Sequence, residues 1–309
     1  MGRTFLNRIC TALIAAFLLL GVYGCDNQPQ HADPPQPTIE KILRIGIVPE
    51  LDVFSQKKRY EPVADYISRK LGINVQLVML PRYGDIIDNF TEERLDGAFF
   101  GSFTAAVATE KLHVIPVARP ERKDGTSTYY GIIFVRKDSG IHNAEDMKGK
   151  RFVFVDKATT AGYLLPLHYF QEQGITYHNW FQETYFAGTH ENAIYDVLTR
   201  RADIGAAKNS VFNRLARKDN RLLDDLEILT TSPAVPENGL AVKADLDGQL
   251  RNDLKDCLLE MDKDPQGRQV LDNFGAWRFI ESTRDDYQPV FDYADTLGLG
   301  VEANRYHND

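Results

Sequence analysis

The sequence predicts an α/β protein of two similar lobes joined by two chain crossings, and three observations carry that expectation. A β-branched run at residues 43–48, a helical pattern that stops at Gly72 and a second apolar run at 75–80 form one βαβ unit. The same rhythm returns roughly a hundred residues later, with a strand at 151–155, a helix from about 161 to 173 closed by Gly174, and a strand near 184–186. Finally, roughly 265 residues follow the N-terminal segment, more than a single core usually holds.

Within the first unit, Tyr60, Val63, Ala64, Ile67 and Leu71 recur at the three-and-four spacing that turns one apolar stripe toward a core. Residues 98–101 and 203–207 read as short strands, and 129–135, rich in Tyr, Ile, Phe and Val, as a strong one. Weaker strand patterns at 228–231 and 240–242 precede helical patterns at 250–261 and 267–274. If the run at 129–135 leads into the second lobe and the later pair returns, the crossings fall near 137–140 and 230–236. The first lobe then comprises residues 41–138 and 236–309, and the second lobe residues 139–235.

Ahead of this body, Arg3 and Arg8 precede an uninterrupted apolar run at 9–20 that is too short for a comfortable membrane span and reads as an export signal over residues 1–24. Its ending, Val22-Tyr23-Gly24-Cys25, resembles a bacterial lipobox, which implies cleavage before Cys25 and lipidation of its thiol. An uncleaved anchor and soluble secretion are the alternatives. By the same resemblance, Asp26 implies retention at the periplasmic face of the inner membrane. Four prolines and three glutamines between residues 26 and 40, with few apolar groups, make 25–40 a disordered tether.

The whole chain carries a net charge of −8, and loss of Arg3 and Arg8 with the signal leaves 34 basic against 44 acidic residues, near −10. So acidic a surface argues against nucleic acid as a partner. Only Cys25 and Cys257 survive cleavage, so a lipidated Cys25 leaves no internal disulfide. The common nucleotide, zinc, thiol and serine-hydrolase motifs are absent, and the sequence points to no catalytic residue, metal or cofactor.

The most informative stretch is residues 152–166, where a β-prone run breaks at Asp156 and two threonines, Thr159 and Thr160, stand at an expected helix start. There, orphan backbone N–H groups, the positive end of the helix dipole and two hydroxyls can hold an anion without any cation. The plainer reading makes one threonine an N-cap and Gly162 a packing residue.

Several spaced segments resemble one family, the substrate-binding proteins of phosphonate, phosphite and phosphate ABC importers. They include Leu80-Pro-Arg-Tyr-Gly-Asp, Asp96-Gly-Ala-Phe-Phe-Gly-Ser, Ala158-Thr-Thr-Ala-Gly-Tyr, Gly188-Thr-His-Glu and Ala202-Asp-Ile-Gly-Ala, and the resemblance runs from about 43 to 299 in consistent order. It implies a two-lobed type II periplasmic binding protein fold with two hinge crossings. It also implies an extracytoplasmic receptor, a monomer that binds a small oxyanion between the lobes and delivers it to ABC permease subunits.

Position by position, the resemblance implies contacts from Tyr83 in the first lobe, from Phe100, Gly101 and Ser102 in the next loop, and from Tyr129 near the hinge. In the second lobe it implies Thr159 and Thr160, His190 as a donor, and Asp203 as the partner of a ligand ammonium group. Phe100 replaces a tyrosine and Ala161 a serine of the family pattern, so two hydroxyl donors are missing. Two rival readings are a sensory module of the same fold that reports to a membrane partner, and an extracytoplasmic enzyme.

Overall fold

The computed structural model of the chain describes residues 41–299 together with Asn308. The expected export signal, Cys25 and tether lie outside those residues.

Strand β1 (Ile42–Ile47) leads to the helix Val53–Leu71, which starts where Asp52 accepts the N–H groups of Phe54 and Ser55 and ends at Gly72, whose φ of 63° is the left-handed conformation that favours glycine. β2 (Asn74–Met79) and β3 (Gly97–Phe100) then flank β1, both parallel to it. β4 (Ile115–Glu121) follows the helix Ser102–Lys111. The chain next runs through β5 (Thr128–Tyr129), β6 (Gly131–Arg136), β7 (Arg151–Phe154), β8 (Glu183–Phe186), β9 (Ile204–Lys208) and β10 (Leu226–Thr231). It returns through β11 (Val235–Pro236) to β12 (Gly239–Val242), and β13 (Arg278–Glu281) comes last.

Two sheets result, ordered β13-β4-β12-β3-β1-β2 and β10-β6-β9-β7-β8. β12 inserts antiparallel between β3 and β4 and is buried throughout, so the returning segment completes the first lobe from its centre. The crossings β5 and β11 pair with each other as a two-stranded antiparallel ribbon.

The first crossing therefore lies at Thr128–Tyr129 and not at 137–140. The β-prone run at 129–135 is two strands: past Tyr130 the chain leaves β11 and takes β9 and β10 as partners. Strand propensity is blind to that exchange, since every residue of the run suits a strand whichever sheet receives it.

Each lobe keeps its own aromatic core, Tyr60, Phe99, Phe274 and Phe279 in the first and Phe152, Phe154, Phe170 and Phe181 in the second. A third apolar cluster joins them and contains Phe100, Phe103, Tyr129, Ala161 and Leu164. In open α/β sheets ligands bind beyond the carboxyl ends of the strands, and here the carboxyl ends of both sheets meet across this third cluster.

Candidate ligand-binding site

The groups that converge between the lobes follow those strand ends in order. Tyr83 lies after β2, Gly101 and Ser102 after β3, Thr159 and Thr160 after β7, and His190 after β8. Lys208 ends β9. Most of what meets in the first part of the cleft is uncharged.

Thr160 Oγ1 accepts the backbone N–H of Phe103 at 2.8 Å, so a hydroxyl of the second lobe caps the start of a first-lobe helix. Tyr83, whose ring borders the Gly101 turn, is buried with its hydroxyl unpaired among the described residues, and burial raises its pKa so that it stays a protonated donor. Its ring stands edge-on to His190, with centroids 5.9 Å apart. His190 opens the helix His190–Leu198, and its Nδ1 accepts the N–H of Lys208 at 3.2 Å. The ring proton therefore sits on Nε2. Burial pushes the imidazole down to about 3, so it is neutral at physiological pH.

A second, charged layer adjoins this neutral one. Lys208 Nζ lies 4.2 Å above the Tyr129 ring and meets Glu50 at 2.9 Å, Glu237 at 2.7 Å and Asn238 Oδ1 at 2.9 Å. The second Glu50 oxygen takes Arg59 at 2.9 Å, and the second Glu237 oxygen takes Arg122 at 3.1 Å. Burial alone would lower the Lys208 pKa, but Glu237 and Glu50 outweigh it and hold the ammonium above its ordinary value. Burial likewise works to raise Glu50, yet Lys208, Arg59 and Arg214 hold its carboxyl well below the usual range. Since Glu50 belongs to the first lobe and Lys208 to the second, their pair ties the lobes together.

Not every expected contact joins the site. Asp203 immediately precedes β9, at the opposite end from Lys208, where Arg151 grips it with a fork of 2.8 and 3.1 Å and a backbone N–H at 2.9 Å. It is an ion-pair residue at the amino end of the sheet's central strand, away from the cleft in which a ligand cation was expected to meet it. Thr159 spends its hydroxyl on the Asp156 carbonyl at 2.6 Å and caps nothing. Ser102 gives its proton to the Pro236 carbonyl at 2.6 Å and lies 2.9 Å from the Tyr129 hydroxyl, which ties it to the hinge ribbon. Phe100 stacks on Phe90 as an apolar wall.

The expected helix at 161–173 begins as a wide π-turn, Thr160–Leu164, before the α-helix Leu165–Glu172. Gly162 is needed there for packing: a Cβ would stand 2.4 Å from Val155 and 2.7 Å from the Thr159 hydroxyl.

Sequence reading missed Glu50, Lys208, Glu237 and Asn238. A usable signal existed for two of them, because Glu50 follows β1 and Lys208 closes β9, both at the carboxyl ends of strands already recognised.

Two α/β lobes, a paired two-strand hinge and strand-end loops facing one cleft define a type II periplasmic binding protein. The chain belongs to the family described as ABC transporter, phosphonate, periplasmic substrate-binding protein, whose pattern it matches over residues 45–287. It is 26% identical over 287 residues to the phosphonates-binding periplasmic protein of Escherichia coli K12, covering 91% of this chain and 83% of that one. A binding protein component of an ABC phosphonate transporter from Pseudomonas aeruginosa superposes with a TM-score of 0.79 at 23% identity, covering 84% and 87% of the two chains. A Prochlorococcus marinus protein solved in complex with methylphosphonate gives 0.76 at 22% identity, covering 84% and 98%.

Proposed function

We propose that the chain is a lipid-anchored receptor of an ABC importer that binds a small phosphonate-, phosphite- or phosphate-like oxyanion between its lobes and presents it to a permease. The observation that carries this reading is the bond from Phe103 N–H to Thr160 Oγ1. It sets a helix start of one lobe against the threonine loop of the other, at the strand ends that also carry Tyr83, whose hydroxyl has no partner among the described residues, and the neutral His190. An anion entering there replaces one interlobe hydrogen bond with several, and only closure lets both lobes reach it. The donors are uncharged, so an acidic protein can still favour an oxyanion over water.

A thermal-shift panel of methylphosphonate, phosphite, phosphate and 2-aminoethylphosphonate tests the ligand class. A ligand at a hundredfold excess over its Kd stabilises the folded state by about 2.7 kcal/mol, a readily measured shift. Replacing Thr160→Val keeps the shape and removes the hydroxyl. Affinity for the active ligand should fall roughly ten- to a hundredfold, about 1.5 to 3 kcal/mol. A panel without any shift, or a valine variant that binds like the parent, removes the reading. The anchor is tested separately: Cys25→Ser should abolish lipid labelling and release the protein from the membrane fraction.

A further inference from the structure

The turn that carries the threonines is held from outside by a residue far along the chain. Between β7 and the π-turn, the Asp156 carbonyl accepts the Thr159 hydroxyl at 2.6 Å and the Thr159 N–H at 2.9 Å, and Asp156 Oδ1 accepts the Ala158 N–H at 2.8 Å. The other carboxylate oxygen, Oδ2, accepts the side-chain amide of Asn308 at 2.9 Å. Asn308 Oδ1 in turn accepts the N–H of Lys157, also at 2.9 Å. One carboxamide thus meets an acceptor and a donor of the same turn, a two-point match that neither a carboxylate nor an aliphatic side chain at position 308 can make.

Asn308 lies beyond the helix Gln288–Thr296, which rests on the second lobe, where Tyr293 stands edge-on to His168 at 4.8 Å and the Thr296 carbonyl accepts the Gln171 amide. Asp156 itself is only 1% exposed, and burial raises its carboxyl pKa. A carboxylate so deeply buried needs its donors. From the facing lobe, Asp85 repels its charge and Arg82 favours it, and the protonated Tyr83 lies within its field. Without Asn308, Oδ2 would draw on donors of its own turn, the Thr159 hydroxyl first, and the backbone that aims Thr160 would move with it.

We propose that Asn308 is a positioning residue of the binding site. Its amide locks the turn at 156–159 so that the Thr160 hydroxyl faces the Phe103 N–H, and an incoming oxyanion meets a preformed threonine loop. The inference rests on the receptor reading above and adds to it a residue that touches no ligand. A contact that merely pins the chain beyond the last helix would instead cost stability and leave affinity unaltered.

Calorimetric titration of the purified protein with the four compounds of the thermal-shift panel, methylphosphonate first, separates the two. Asn308→Ala should bind about three- to tenfold more weakly, the worth of one hydrogen bond or so lost behind the site. Asn308→Asp offers Asp156 no donor and sets a second carboxylate against it, so it should be weakened at least as much. The double variant Asp156→Asn with Asn308→Asp again sets one amide donor against one carboxylate, and its affinity should return to within about twofold of the parent. Because Asn308 is partly exposed and belongs to no helix or strand, these variants should fold, which circular dichroism and urea unfolding check. Should Asn308→Asp or the double variant fail to fold, the Asn308→Ala titration decides alone. Unchanged affinity in Asn308→Ala, whatever its stability, overturns the positioning role and leaves the receptor reading intact. A double variant that folds but binds no better than Asn308→Asp does the same. A parent that binds none of the four compounds removes the receptor reading and the positioning role together.

Discussion

The two halves of the cleft, a neutral cradle and a charged layer, sit side by side but solve different problems. In the cradle, Thr160 caps a helix across the lobes and Tyr83 keeps a hydroxyl unpaired among the described residues, so under the proposed function its donors can change partners when a ligand arrives. In the charged layer, Glu50, Lys208 and Glu237 already satisfy one another at 2.7 to 2.9 Å. The difference follows from desolvation. An unmet neutral group costs about 1 to 3 kcal/mol when buried, which a folded protein tolerates, whereas an unmet buried charge costs several times more. Groups that must wait for a ligand are therefore best left neutral, and buried charges are best fixed in place.

The sharpest way to break that comparison is Lys208→Met, which leaves Glu50 and Glu237 buried without their ammonium. Unfolding in urea should show a loss of about 3 to 5 kcal/mol. A loss below about 1 kcal/mol would mean that water already screens the layer and that the contrast between the two halves is false.

A smaller effect belongs to His190 in the neutral half. Its folded pKa, about 3, lies below its ordinary 6.5, so the unfolded chain takes up the proton first. The stability contribution is complete above pH 6.5 and is lost as pH falls from there toward 3. Between pH 6.5 and 4.5 the loss should be about 2 to 3 kcal/mol, and His190→Gln should flatten the curve in that window. Glu50 works lower on the scale: its depressed carboxyl contributes stability above the ordinary carboxylate range that is lost only as pH falls below it. A stability curve whose slope between pH 6.5 and 4.5 is the same with and without His190 would show that the imidazole is solvated.

The least effect is expected at Asp203, the acid that the cleft excludes. Asp203→Asn should lower stability by about 1 kcal/mol or less and leave affinities for aminated and unaminated phosphonates equal to those of the parent. Selective weakening of an aminated ligand would bring Asp203 back into the site and require a different closed arrangement from the one described.

Local pattern served the fold well. Helix Val53–Leu71 with its stop at Gly72, and the strands β1, β2, β7 and β8, follow from periodicity and terminators that neighbouring residues supply. The threonine segment was also conspicuous, because hydroxyls after a strand break are a local feature. Yet the roles of its two members parted: Thr159 bonds within its own loop and Thr160 across the lobes. Ala161, Gly162 and the π-turn decide which way each hydroxyl faces, and adjacent identical residues carry no mark of that.

By itself, then, the sequence determined an acidic two-lobed α/β chain, its βαβ rhythm and a pair of threonine hydroxyls at a strand end. Tertiary structure alone decided that the run at 129–135 divides between hinge and second sheet, that Asp203 faces Arg151, and that Glu50, Lys208 and Glu237 meet. Periodicity and capping are set within a few residues, whereas the pairing of charges 158 residues apart depends on strand order and on where the hinge crosses. A strand looks the same from either of its ends, but only one end of β9 opens on the cleft.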